Sequence, residues 1–83
     1  MNIDYLRTFL TLAENGSFSE TAKEHIVVQS TVSSRIQELE KELGQSLFIR
    51  NYNHAELTLA GQVFLEYAKN IVLSLIHISE PTR

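Results

Sequence analysis

The stretch "VVQSTVSSRIQELEKEL", Val27 to Leu43, joins two compositions in one run. From Arg35 onward it is made of strong helix formers. Before that, Ser30, Thr31, Ser33 and Ser34 crowd five positions. Short hydroxyl side chains compete for the backbone and are mediocre in helix interiors. Yet Val32, Ile36, Leu39 and Leu43 recur at intervals of four, three and four, the inner stripe of an amphipathic helix. With Val32 at the centre of the buried face and about 100° per residue, the opposite face is Ser30, Ser34, Gln37 and Lys41. Thr31, Ser33 and Arg35 lie on the flanks. The spacing predicts a helix from about Ser30 to Leu43, ended by Gly44. Its outward face opens on small hydroxyls and one Arg.

Working outward, Met1–Glu14 reads as a first helix. Leu6, Phe9, Leu10 and Ala13 form one apolar stripe, Asn2 is in place to cap, and Gly16 stands where a helix stops. Ser17-Phe18-Ser19-Glu20 has the spacing of a capping box. It opens a short second helix to about His25, with Phe18, Ala22 and either His25 or Ile26 turned inward. Val27 and Val28 then connect to the Ser-rich helix. A β-branched pair without Gly is an unusual turn, so packing must shape it. Downstream, Ser46–Arg50 and Ala55–Thr58 read as two short strands joined through "NYNH". Thr58 can cap a fourth helix running through Val63, Phe64, Tyr67, Ala68 and Ile71, past Val72. Phe64, Tyr67 and Ile71 at helical spacing are first of all core or pairing surface.

The totals bound the answer. Eighty-three residues allow one small domain with a thin core, at 43% apolar residues. The absence of Cys excludes a disulfide framework and a thiolate metal site, and fits the cytoplasm. Neither a signal peptide nor an apolar run long enough for a bilayer is evident. The net charge of −3 opposes simple nucleic-acid binding, but charge is unevenly placed. Between His25 and Gln37 there is no acid and one Arg, whereas Glu38 to Glu42 holds three acids and one Lys. The run "ELEKEL" reads as a solvated outer face. Arg35 has one acid at helical spacing, Glu38, and a surface pair of that kind is worth only about 0.2–0.5 kcal/mol, which leaves Arg35 largely free. His25, His54 and His77 have no metal spacing. No nucleophile–base pair, Gly-rich phosphate loop or paired carboxylate marks an enzyme.

Helix, short helix, longer helix, hairpin, helix is a mainly α order. Two helices joined by a very short turn, the second polar at its outward start, suggest a helix-turn-helix, and the hairpin supplies a wing. Small hydroxyls and an Arg at the start of a recognition helix can approach base edges and phosphates, and the helix N-terminus itself favours phosphate.

The runs "FLTLAENGSFSETAKEHIVVQSTVSSRIQELEKELGQSLFIR" and "LTLAGQVFLEYAKNIV" resemble, in order, the N-terminal DNA-binding domain of LysR-type transcriptional regulators. The matches include Ala13-Glu14, Gly16-Ser17-Phe18-Ser19, Ala22, Val27, Gln29-Ser30, Ser33, Ile36, Leu39-Glu40, Leu43-Gly44, Leu47-Phe48, Arg50, Leu57-Thr58 and Ala60-Gly61. The resemblance covers Met1 to about Val72. It implies a winged helix-turn-helix over residues 1–58, with a two-stranded hairpin wing. Residues 59–72 would begin a C-terminal linker helix. It further implies a bacterial regulator that binds partly palindromic promoter DNA and pairs as a homodimer through the fourth helix. A small-molecule effector belongs to a C-terminal domain, and no cofactor to this part. Carried over, Gln29, Ser30, Thr31, Ser33, Ser34 and Arg35 fall at the groove-facing start of the recognition helix. Arg50 falls at the foot of the wing, and Asn53 and His54 at its tip. Phe64, Tyr67, Ala68 and Ile71 fall on the pairing helix. In this context Gln29 could hydrogen-bond an adenine edge.

Three departures stand out. His25 replaces a usual core Leu, Val28 replaces a usual Ser or Thr cap, and Asn53 replaces a common basic wing residue. A lost cap costs on the order of 1 kcal/mol. With the acidic total, these departures predict modest affinity for the isolated piece. They also leave a second function class open, a winged helix kept for protein contacts. The final "LSLIHISEPTR" breaks the pattern, and Pro81 blocks helix continuation. It resembles, residue for residue, the translation of a transposase adapter used in sequencing libraries. The expectation is that residues 73–83 are a non-native tail, and that the shortened fourth helix pairs poorly alone.

Overall fold

The computed structural model describes residues 2–52 and 54–79, the last five of them by backbone alone. Helix α1 spans Ile3–Asn15, α2 Phe18–His25 and α3 Gln29–Leu43. Strands β1 (Phe48–Asn51) and β2 (His54–Leu57) follow, then α4 (Leu59–Ser79). The strands pair antiparallel, with Phe48 opposite Leu57 and Asn51 opposite His54. The ladder therefore reaches into "NYNH", because Asn51 and His54 pair across it.

The caps explain the helix limits. Asn2 Oδ1 accepts the Asp4 N–H at 2.7 Å, and Gly16, at φ 68°, closes α1 with its N–H on Leu12 O. Ser17 Oγ accepts the Glu20 N–H at 3.1 Å. The return half of the box differs from expectation. The Ser17 N–H goes to Asn15 Oδ1 at 2.8 Å, while Glu20 pairs with Lys23 at 3.5 Å. Thr58 serves two elements at once: Oγ1 accepts the Gly61 N–H at 2.9 Å and donates to Ser46 O at 2.6 Å.

The turn between α2 and α3 is made by Ile26, which takes φ 55°, ψ 51° and is 90% exposed. The inward-facing alternative for Ile26 is thus excluded. His25 points inward instead, and its Nε2 lies 2.9 Å from Thr11 Oγ1. That hydroxyl gives its proton to Arg7 O at 3.0 Å, so it accepts from the imidazole. The His that replaces a usual Leu is half-buried and partnered. A β-branched residue at positive φ is strained by roughly 1–2 kcal/mol. Ile26→Asn should therefore raise stability by about 1 kcal/mol, about 5 °C in Tm for a domain this size. A thermal melt that is unchanged or lower would show that the strain is not relieved by Asn.

The core runs through all the helices and the hairpin. Phe9 is fully buried, edge-on to Phe64 at 5.0 Å and tilted against Phe48 at 5.3 Å. Leu6, Leu12, Phe18, Ala22, Val32, Ile36, Leu39, Leu47, Ala55 and Ala68 complete it. Leu12 and Thr8 are buried where Leu10 and Ala13 were expected, and those two are only half-buried. Of the residues on the pairing helix, Phe64 takes the core alternative, and Ala68 is buried with it: at 8% and 0% exposed they are spent on this domain's own core. Tyr67 (63%) and Ile71 (41%) do face outward, with Val63. Helix α4 continues through Leu73–Ser79, the first part of the tail set apart by its sequence; Glu80–Arg83 lie outside the described residues.

Candidate nucleic-acid interface

The outward face of α3 is as its spacing predicts. Ser30, Ser34, Gln37 and Lys41 are exposed, with Thr31, Ser33 and Arg35 half-buried on the flanks. Gln29, also exposed, is the first helical residue. Val28 supplies no side-chain hydrogen bond at the N-cap. Thr31 and Val32 donate to Val28 O, so the amides of Gln29 and Ser30 are the two that point out of the helix end unpaired by the backbone ladder.

Two cations approach this face from different elements. Arg50 on β1 donates through Nη2 to Ser33 Oγ at 2.6 Å. Its guanidinium lies 4.2 Å above the Phe18 ring centroid, a cation–π contact that fixes its plane. Arg35 donates through Nη1 to Thr8 Oγ1 of α1 at 3.1 Å. This corrects the picture of a free Arg35. Glu38, the expected partner, instead lies 3.9 Å from Lys41. A shallow hollow beside Arg35 is lined by Tyr5, Ser30, Thr31 and Ser34.

The wing is pinned at its base and its flank. Glu40 Oε2 accepts the backbone N–H groups of Leu47 at 2.8 Å and Phe48 at 3.3 Å. Glu40 belongs to the run whose pattern predicts a solvated face, but the chain turning back after Gly44 brings those amides over it. On the other side, Gly16 O accepts the Ala55 N–H at 2.9 Å and lies 3.2 Å from His54 Nδ1. A short antiparallel bridge joins Ser17 to His54. His54 is thus held against the α1–α2 corner while remaining exposed. Asn53, the other wing-tip residue expected at the interface, lies outside the described residues. Tyr52 was not singled out from sequence. It is fully exposed at the tip, at φ 55°. Its only sequence signal was an aromatic inside a turn.

Among the described residues, no group of three His, Asp or Glu side chains could hold a metal ion, and no helix is long and apolar enough to cross a membrane.

A short-turned helix pair whose second helix presents hydroxyls and Arg35, flanked by a pinned hairpin, defines a winged helix-turn-helix protein. The family model described as "Bacterial regulatory helix-turn-helix protein, lysR family" matches residues 3–62. The chain belongs to that family. It is 43% identical over 70 residues to a probable RuBisCO transcriptional regulator of Cyanidioschyzon merolae, covering 84% of this chain and 23% of the relative. It is 39% identical over 72 residues to the HTH-type transcriptional regulator HdfR of Escherichia coli, covering 87% of this chain and 26% of the relative. The chain therefore spans about a quarter of the length of these curated relatives, both transcriptional regulators. Among solved structures, the DNA-binding domain of CbnR in complex with DNA superposes with a TM-score of 0.87 at 38% identity. That match covers 95% of this chain and 90% of the other.

Proposed function

We propose that this chain is the sequence-specific DNA-binding domain of a cytoplasmic LysR-type transcriptional regulator. Helix α3 enters the major groove, with Gln29, Ser30, Thr31, Ser33 and Ser34 at base edges and phosphates. Arg35 and Arg50 take phosphates, and the wing, with Asn53 and His54, lies on the flanking backbone or minor groove. The observation that carries this reading is the Arg50–Ser33 hydrogen bond at 2.6 Å. It sets the wing's cation and the small hydroxyls of α3 on one surface. The acids of α3 begin at Glu38, beyond that surface, so the net charge of −3 does not oppose it. The likeness to a DNA-complexed domain supports the same reading and does not favour a winged helix kept for protein contacts.

In the intact regulator, two copies pair through the outer face of α4. Tyr67, Ile71 and Val63 are the apolar side chains left exposed there. Effector sensing belongs to a further C-terminal domain.

Selection from a randomised duplex library tests the proposal, using Met1–Val72 fused to a dimerising coiled coil to restore two-fold geometry. The expected result is a two-fold motif with half-sites about one helical turn, or a multiple of it, apart. Binding to it should fall steeply with salt, as phosphate contacts require. No enrichment at low salt from a folded fusion would overturn DNA binding in favour of protein contacts.

A further inference from the structure

Thr8 is a polar side chain with no exposed surface, on the helix that packs behind the recognition helix. Its hydroxyl proton is committed to Asp4 O, one turn back, at 2.8 Å. The oxygen's lone pairs remain, and Arg35 Nη1 of α3 donates to them at 3.1 Å. A hydroxyl with its one proton already used can only accept, so this pairing has a single sense. Arg35 has four further N–H donors in a rigid plane. Anchoring one nitrogen sets the direction of the others. The adjoining surface is the hollow lined by Tyr5, Ser30, Thr31 and Ser34, which contains no acid. In helix-turn-helix docking the recognition helix lies in the major groove, between the two sugar–phosphate backbones, with its N-terminal residues nearest the bases. Ser30, Thr31 and Ser34 belong to that part of α3, so the hollow on its flank is where a backbone phosphate comes within reach.

We propose that Thr8 is a positioning residue for DNA binding: its buried hydroxyl holds the Arg35 guanidinium at the α1–α3 hollow to receive a backbone phosphate. This rests on the DNA-binding reading above. Desolvating a hydroxyl to hold one arginine would be unnecessary for folding alone, since Val has nearly the same shape and fits an apolar site without a partner. Asp4 O keeps a helical N–H in that case, and half-buried Arg35 can turn to water.

The test measures labelled duplexes of several sequences binding to the full 83-residue chain, across a salt series. Thr8→Val should melt at or above the parent and bind every duplex about fivefold more weakly. Its log affinity should fall less steeply with log salt, by up to about one in slope, as one phosphate contact weakens. Thr8→Ser, which keeps the acceptor, should bind as the parent does. In an Arg35→Ala background, Thr8→Val should add no further loss. If Val crowds the site and unfolds the chain, Thr8→Ala carries the same cycle. Parent-like affinity and slope for Thr8→Val would overturn the proposal, and so would an equal loss in the Arg35→Ala background. If the parent chain is silent alone, the same series is run on the two-fold coiled-coil fusion; a folded fusion that binds no duplex at low salt overturns the DNA-binding reading itself, and this proposal with it.

Discussion

Ser34→Glu should weaken DNA binding by on the order of a hundredfold or more, while the protein melts as its parent does. Ser34 is exposed at the middle of the outward face of α3, beside Ser30 and the Arg35 hollow. A carboxylate there meets phosphates and acceptor-rich base edges with the wrong sign, and adds bulk where the helix must approach closely. The fold has little reason to respond. Glu is a better helix former than Ser by a few tenths of a kcal/mol. A new like-charge pair with Glu38 at i+4 takes back about 0.2–0.5 kcal/mol. The melt separates these effects from misfolding. Parent-like affinity for this variant would mean that the outward face of α3 does not meet the duplex.

Gly61→Ala should have the largest effect on stability. In an ordinary helix this change is favourable by about 1 kcal/mol. Here the sign reverses. A Cβ at position 61 would lie 2.2 Å from Leu47 O and 2.9 Å from Leu57 Cδ2. Leu47 O cannot simply move, because it accepts the Thr58 N–H at 3.0 Å. Leu47 itself is 1% exposed and its N–H is held by Glu40. Backbone on both sides of the contact is fixed, so the hairpin and α4 must part. Overpacking of this kind costs about 3 kcal/mol. That is about 15 °C in Tm for a chain this short. A melt within a few degrees of the parent would show that α4 can rise off the hairpin at little cost.

Much of the fold was legible because its signals are local. The caps at Asn2, Ser17 and Thr58 each depend on residues within three positions. The Val32–Ile36–Leu39 stripe depends on helical period alone, and all three residues are buried. The same period correctly left Ser30 and Ser34 outside. What sequence could not show depends on partners brought from far along the chain. Arg35 looked unpaired because its partner, Thr8, is 27 positions away. Glu40 looked solvated because the amides it holds arrive only after Gly44 turns the chain back. Period does not decide which side of α4 meets the body: Phe64 and Ala68 turn in, while Tyr67 turns out. Ile26 in the left-handed region contradicts local preference, and the turn is closed around it by its own N–H on Lys23 O and the Val27 N–H on Ala22 O.

The anchorage of the wing bears on how a duplex is chosen. Gly16 O receives the Ala55 N–H, Glu40 holds the amides where the hairpin begins, and Arg50 ties β1 to Ser33. Hairpin and recognition helix therefore move as one body. Such a body acts as a caliper: the gap between its two points of contact is set before DNA arrives. A duplex whose local groove width departs from that gap must itself deform, and how readily it does so depends on base steps the protein never touches. Part of the preference for one promoter over another would then be written in the stiffness of the DNA, outside the letters read by α3.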